Sequence, residues 1–260
     1  QPAQTILSHR NWTFSTEFSP DGARLATCGG DGVTRMWNAR DGSLLWEKAS
    51  DGTDPAAPRA KPLVRTRMLR WLSSEVFLLG QADGLLRFCN AADGSPIETI
   101  SAAKGEIYGL AVSRDGSRIA TVASDKALRV WNARTRSLEW ETDDLDFFAR
   151  GVAFSPDGTR LYSGGVAGGV IVWDVQTHAR LDVLHTSSHA WSIAASPDGK
   201  RIGVGTMEAG VDIIELSTGK RIGGPSGHLR VVASVAFSPD SSLLFSGGDD
   251  GTVKVWEEVK

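Results

Sequence analysis

One short phrase returns six times along the chain, and five of the six copies fall on a spacing of about forty residues. It reads Phe18-Ser19-Pro20-Asp21-Gly22, Ser113-Arg114-Asp115-Gly116, Phe154-Ser155-Pro156-Asp157-Gly158, Ser196-Pro197-Asp198-Gly199 and Phe237-Ser238-Pro239-Asp240, with a degraded copy at Trp71-Leu72-Ser73-Ser74. Self-similarity at this period marks a repeat architecture, in which a single unit cannot bury its own apolar face and must stack on its neighbours. It also moves the functional question, because a ring of like units is a platform whose job lies in what it holds.

Eighteen residues after each phrase serine stands a large apolar residue: Trp37, Trp131, Trp173, Ile214 and Trp256. With Ser73 as the serine of the second copy, Cys89 follows in sixteen steps, which implies a turn two residues shorter. Between each pair lie two apolar runs split by a Gly/Asp turn, as in Arg24 to Thr27, Gly30-Asp31-Gly32 and Val33 to Trp37. Asp-Gly between alternating apolar stretches is a strong hairpin signal. Pro-Asp-Gly after a strand is a turn with a mechanism, since Pro fixes φ and Gly tolerates φ > 0. A further strand precedes the phrase (Val231 to Phe237), and another follows the Trp (Ser43 to Lys48, Ser137 to Glu141). No stretch sustains 3.6-residue apolar periodicity for three turns, so the reading is all-β with four antiparallel strands per unit.

The Trp and Asp-Gly residues at this period resemble the WD40-repeat family of β-propellers over the whole chain. The resemblance implies that a well-formed blade carries a hydrogen-bonded His, Ser/Thr, Asp and Trp. The first repeat supplies His9, Thr27, Asp31 and Trp37, and the last supplies His228, Ser246, Asp250 and Trp256. The third keeps Thr121, Asp125 and Trp131 without the His, and the fourth keeps Ser163 and Trp173 with Ala167 at the Asp position. The second and fifth keep almost none. A buried indole N–H needs an acceptor, so these residues are expected to be structural rather than a catalytic trio.

The expected architecture is a six-bladed propeller forming one domain over 1–260, with repeats at about 8–48, 62–100, 101–141, 142–184, 185–223 and 224–260 plus 4–7. The last repeat stops after its third strand, so Thr5 to Leu7 is expected to complete the blade holding Trp256 and lock the ring. Part of a seven-bladed or larger assembly is the alternative. The polar stretch Ala49 to Pro58 reads as a loop. Because Gln1 is not a Met, the chain reads as a processed or excised piece.

The net charge of −3 argues against a general polyanion-binding role, so no nucleic acid partner is expected. The basic segment Arg59, Lys61, Arg65, Arg67 and Arg70 reads as a solvated edge or loop, with Arg65 and Arg67 on one strand face. Cys28 and Cys89 lie on strands of different units, with no metal-ligand spacing, and read as small buried hydrophobes without a disulfide. No eighteen-residue apolar run exists, so no membrane association is expected; no signal peptide is evident either, and a cytoplasmic setting is favoured. His185 and His189 stand four apart, but in a loop and strand start rather than on a helix. The acids Glu141, Asp143, Asp144 and Asp146 read as a solvated loop. No metal, cofactor or catalytic residue is expected, and oligomeric state is left open.

The resemblance also implies a surface. In the family, positions seven and five before the phrase serine surround the central channel. They are Trp12 and Phe14, Thr66 and Met68, Glu106 and Tyr108, Phe148 and Arg150, His189 and Trp191, and Val231 and Ala233. Trp, Tyr and Arg dominate binding hot spots. The expected partner-binding set is therefore Trp12, Phe14, Met68, Glu106, Tyr108, Phe148, Arg150, His189 and Trp191. The leading expectation is a non-catalytic scaffold for a protein or peptide. The alternatives are a regulatory or sensor propeller within a larger multidomain protein, or a propeller enzyme or metal-dependent hydrolase relying on Glu106, His189 and Asp249.

Overall fold

A computed structural model describes residue 9 and residues 11–56, 63–143, 145, 149–166, 169–224 and 227–257. Among them there is no helix. The first sheet holds β1 (Thr13–Phe18), β2 (Arg24–Gly29), β3 (Val33–Asn38) and β4 (Leu44–Ala49) in sequence order. The second holds β5 (Thr66–Trp71), β6 (Val76–Gln81), β7 (Leu85–Asn90) and β8 (Pro96–Ser101). The third holds β9 (Ile107–Val112), β10 (Arg118–Ala123), β11 (Leu128–Asn132) and β12 (Leu138–Thr142). The fourth holds β13 (Val152–Phe154), β14 (Arg160–Val166), β15 (Gly169–Asp174) and β16 (Arg180–His185). The fifth holds β17 (Ala190–Ala195), β18 (Arg201–Thr206), β19 (Val211–Glu215) and β20 (Lys220–Gly223). The sixth has β21 (Val232–Phe237), β22 (Leu243–Gly248) and β23 (Val253–Glu257) among the described residues. The strand expected to complete it, Thr5 to Leu7, lies outside them.

The chain resolves into two compact units, Gln1–Leu110 and Ala111–Lys260, with the division inside β9. In each unit the two middle strands of a sheet read as nearly continuous apolar runs because both faces are covered. In the first unit, Ala26, Cys28 and Met36 pack with Leu69, Phe77, Leu79 and Cys89. Both cysteines are free thiols in this one core, and burial pushes each thiol up to about 12. In the second unit, Ala120, Val122, Leu128 and Val130 pack with Leu161, Ile171 and Trp173. The outermost strands are wet, as the exposed run of β8 illustrates.

The recurring phrase is a compact turn. Ser19 Oγ donates to Asp21 Oδ1 at 2.5 Å and accepts the Arg24 N–H at 2.9 Å, while Gly22 N–H donates to the Ser19 carbonyl at 2.8 Å. Gly22 sits at φ +69°, where a side chain is costly. The same bonds recur around Ser113, Ser155, Ser196 and Ser238. In the last copy Ser241 takes the glycine position at φ 63°.

The second copy departs from the expected register. Trp71 pairs with Phe77 as Phe18 pairs with Leu25, so Leu72, not Ser73, stands in the serine's place. Its turn closes with Leu72 N–H on the Val76 carbonyl, one residue shorter than in the first copy. A leucine cannot form the side-chain bonds of the phrase, and this loss of signal hid the offset.

Candidate functional site

In four of the blades the first strand carries one residue too many. The ladder slips between Thr13 and Ser15, Thr66 and Met68, Ala190 and Ser192, and Val232 and Ser234. The residues left over are Phe14, Arg67, Trp191 and Ala233. A β-bulge leaves its extra residue out of the ladder and re-aims the side chain. Tyr108 and Arg150 hold the same position, five residues before Ser113 and Ser155. The second blade is the correction: its shortened turn puts Arg67 where Met68 was expected, and Arg65 where Thr66 was expected. Met68 is half-buried beside Gly80, and Thr66 is fully buried.

In the first unit these positions converge. The Arg67 guanidinium carbon lies 4.4 Å from the Phe14 ring centroid and 5.8 Å from that of Tyr108. Its Nε donates to Glu106 Oε1 at 2.7 Å, and Arg65 Nη2 lies 3.5 Å from the same oxygen. Glu106 is largely buried, whereas Arg65 is 52% exposed. Two guanidiniums share one carboxylate, leaving a net positive charge framed by aromatic rings. A cation over such a ring contributes about 0.5–1 kcal/mol at an exposed site. Trp12 stands two residues before the bulge, 68% exposed, and its carbonyl accepts the Gly30 N–H at 2.8 Å.

In the second unit the Arg150 guanidinium carbon lies 3.9 Å from the Trp191 ring centroid. His189 is half-buried, and its carbonyl accepts the Met207 N–H at 3.0 Å. Phe148 lies outside the described residues.

The residues expected to be structural are linked into fasteners. Thr27 Oγ1 accepts the Trp37 indole N–H at 3.0 Å and lies 3.1 Å from His9 Nε2, while His9 Nδ1 lies 2.8 Å from Asp31 Oδ1. Burial lowers the His9 pKa, against the pull of Asp31. Burial works to raise Asp31, but bonds from His9 and Arg35 outweigh it and hold the carboxyl below its ordinary value. In the last blade His228 Nε2 lies 2.7 Å from Ser246 Oγ, Trp256 Nε1 donates to that oxygen at 2.8 Å, and Asp250 Oδ2 lies 3.0 Å from His228 Nδ1. The Leu229 N–H, the Thr252 side chain and His228 hold Asp250 well below the usual carboxylate range. Both hydroxyls are buried and already engaged by an indole, which leaves neither open to a substrate.

Sequence reasoning missed the groups that replace this network elsewhere. Arg35 joins Asp31 (3.0 Å) to Glu47 (2.9 Å), and Arg129 joins Asp125 (2.8 Å) to Glu141 (2.9 Å) at identical spacing. Glu141 is thus part of an ion pair rather than of a purely solvated acid run. The third repeat has no His, and Arg129 Nη1 has no hydrogen-bond partner, where Arg35 Nη1 meets His9 at 3.0 Å. In the second blade Gln81 bridges the Ser50 carbonyl and Arg87. In the fifth, buried Asp212 accepts from Ser187 and from Arg221 at 3.0 Å. The only advance signal was a polar residue inside an apolar strand.

Of the basic segment, Arg59 and Lys61 lie outside the described residues, and Arg70 donates to the Leu69 carbonyl. Arg65 precedes β5 and Arg67 is its bulged residue, and both meet the Glu106 carboxylate. His185 is exposed, and among the described residues no group of three His, Cys, Asp or Glu side chains could hold a metal ion.

Comparison with known proteins places this geometry in a lineage. A family model described as WD domain, G-beta repeat matches residues 1–38, 94–132, 146–174 and 219–257, more than half of the chain. Apoptotic protease-activating factor 1 of Rattus norvegicus is 23% identical over 97% of this chain, which spans only 17% of that protein. Serine-threonine kinase receptor-associated protein of Homo sapiens is 24% identical over 98% of this chain and 69% of its own length. A chain in a structure titled Crystal Structure of Mitotic Checkpoint Complex superposes with a TM-score of 0.82 at 22% identity, covering 95% of this chain and 74% of that one. That likeness shows the fold class, an all-β propeller, built here from six blades. By repeat, sheet and fold, the chain belongs to the WD40-repeat family.

Proposed function

We propose that the protein is a non-catalytic binding module for a protein or peptide, and that the bulge positions of its blades make the contact. The observation that carries the reading is Arg67, stacked by Phe14 and Tyr108 and held by Glu106. A guanidinium fixed in this way keeps little rotamer freedom to lose, so its free N–H groups and flanking rings contribute affinity at low entropic cost. Arg150 on Trp191 supports the same reading in the second unit. The names of the relatives agree with it: one is a receptor-associated protein, and the superposed chain comes from a complex.

The test uses a partner first identified by its binding to the wild-type chain. Phe14→Ala with Arg67→Ala, and separately Trp191→Ala, are compared with wild type by calorimetry. Each hot-spot truncation should cost about 2 kcal/mol or more. Wild-type affinity in both variants, with unchanged melting curves, would overturn the reading. A second reading, a regulatory or sensor unit within a longer protein, is favoured by the small share of apoptotic protease-activating factor 1 that the chain spans. The sequence of the full gene decides it.

A further inference from the structure

A cavity of about 340 Å³ in the second unit lies among the phrase turns of the third to sixth blades. These turns are at the opposite end of the first strands from the bulge positions. Its walls come from the residues just before and just after each phrase serine, chiefly Phe154, Pro156, Ala195, Pro197 and Pro239. The position after the serine is Pro in each of the fourth, fifth and sixth copies. In the third copy it is Arg114, which also lines the cavity.

The turn does not need this arginine. Ser113 Oγ donates to Asp115 at 2.6 Å, Arg118 N–H donates to Ser113 Oγ at 2.9 Å, and Gly116 N–H donates to the Ser113 carbonyl at 2.8 Å, as in the other copies. The Arg114 side chain is exposed and makes no hydrogen bond or ion pair with the described residues. The carboxylates of the same turns stay ionised but form no ion pair with Arg114. Asp115, Asp157 and Asp198 each turn an oxygen inward to their own phrase serine and to a backbone N–H, and none lines the cavity. The result is a concave site whose lining is about half apolar and half polar, with one unpaired cation, in the volume range of small-ligand pockets.

We infer that this cavity binds an apolar carboxylate, with the anion on Arg114 and the hydrocarbon against the proline faces and Phe154. The guanidinium fork matches a carboxylate in a bidentate way, and the rigid proline rings lose no rotamer freedom when covered. The volume is roughly twice that of a cavity that accommodates benzene, about 150 Å³, so a bicyclic aromatic acid or a leucine-sized residue with its terminal carboxylate fits. Both sources present the same chemistry, a free small acid or the C-terminal residue of a peptide.

The probe is 2-naphthoate, titrated by ligand-observed NMR into the 260-residue protein beside its methyl ester and 2-naphthylmethylamine. The acid should bind about tenfold more tightly than the ester, the scale of one charge-assisted hydrogen-bonded contact, and the amine most weakly. Arg114→Gln should remove the preference for the acid while leaving ester binding alone. Ala195→Leu, which fills the cavity, should weaken acid and ester alike. Melting curves of both variants establish that they fold. A peptide ending in leucine, as free acid and as amide, distinguishes the sources: preference for its free acid points to a chain terminus, and a naphthoate response without it points to a small acid. Equal binding of acid and ester, retention of the preference in Arg114→Gln, or no acid binding at millimolar concentration overturns the proposal.

Discussion

The first and fifth blades reach the same four-stranded sheet by opposite chemistry. In the first, Thr27 and Trp37 sit on adjacent strands and share a hydrogen bond that His9 and Asp31 extend. In the fifth, the same two places hold Val204 and Ile214, both fully buried, and nothing there needs an acceptor. The carboxylate has moved to Asp212, where Ser187 and Arg221 satisfy it. A buried indole needs its hydroxyl acceptor, which Thr121 and Ser163 supply to Trp131 and Trp173 even without the His; where hydroxyl and indole are both absent, an apolar pair of matching shape serves as well. The propeller therefore tolerates loss of its signature residues when they are lost together.

The largest effect should come from breaking the first blade outright. Trp37→Ala removes a buried indole and one of the two partners of the Thr27 hydroxyl, and should cost about 3–5 kcal/mol in chemical denaturation. Ile214→Ala, which leaves no orphan, should cost about 2–4 kcal/mol, and a reversed order would undo the contrast. Asp212→Ala strips the acceptor from Ser187 and Arg221; because Arg221 is half exposed and can rehydrate, about 2 kcal/mol is expected. Thr27→Val alone should cost about 1–2 kcal/mol by leaving the indole N–H unpaired. Combined with Trp37→Ile it imitates the fifth blade, and the pair should be less harmful than the sum of its members by about 1 kcal/mol in a double-mutant cycle. Strict additivity would mean that the hydroxyl and the indole do not act as a unit.

The smallest effect separates the two blades by pH. The His9 pKa is lowered by burial from its ordinary 6.5, so the unfolded chain takes up this proton first. The first blade's contribution is complete above pH 6.5 and declines as pH falls through the folded value. His9→Gln should flatten the melting temperature over that interval. At lower pH a second loss involves both blades: the Ser19 hydroxyl and the Ala23 N–H hold Asp21 below its ordinary 3.8, and the Ser196 hydroxyl and the Lys200 N–H hold Asp198 below its own against burial. Melting temperatures that continue to fall below pH 3.8 in His9→Gln would separate the two contributions.

The period, the all-β class, the strands and the fasteners of the first and last blades were legible because each rests on local signals: turn residues, alternation and fixed intervals. Arg67 was not. One missing turn residue and an unmarked bulge shifted the second blade by one position, and a two-residue alternation carries no mark of an inserted residue. The Asp31–Arg35–Glu47 and Asp125–Arg129–Glu141 chains were equally hidden, since their partners on neighbouring strands meet only once the hairpins are in register. Arg114 was visible as a departure from Pro, but its meaning depended on turns far apart in sequence closing around one space.

The extra residue at the head of a blade's inner strand has a lasting consequence. Because it belongs to no rung of the ladder, it is the one place in a blade where chemistry can be rewritten without disturbing the module beneath. Phenylalanine, arginine, tryptophan and alanine all occupy it above nearly superimposable pairing. Selection can thus change the side chain displayed there one codon per repeat, while the body that carries those codons stays unchanged.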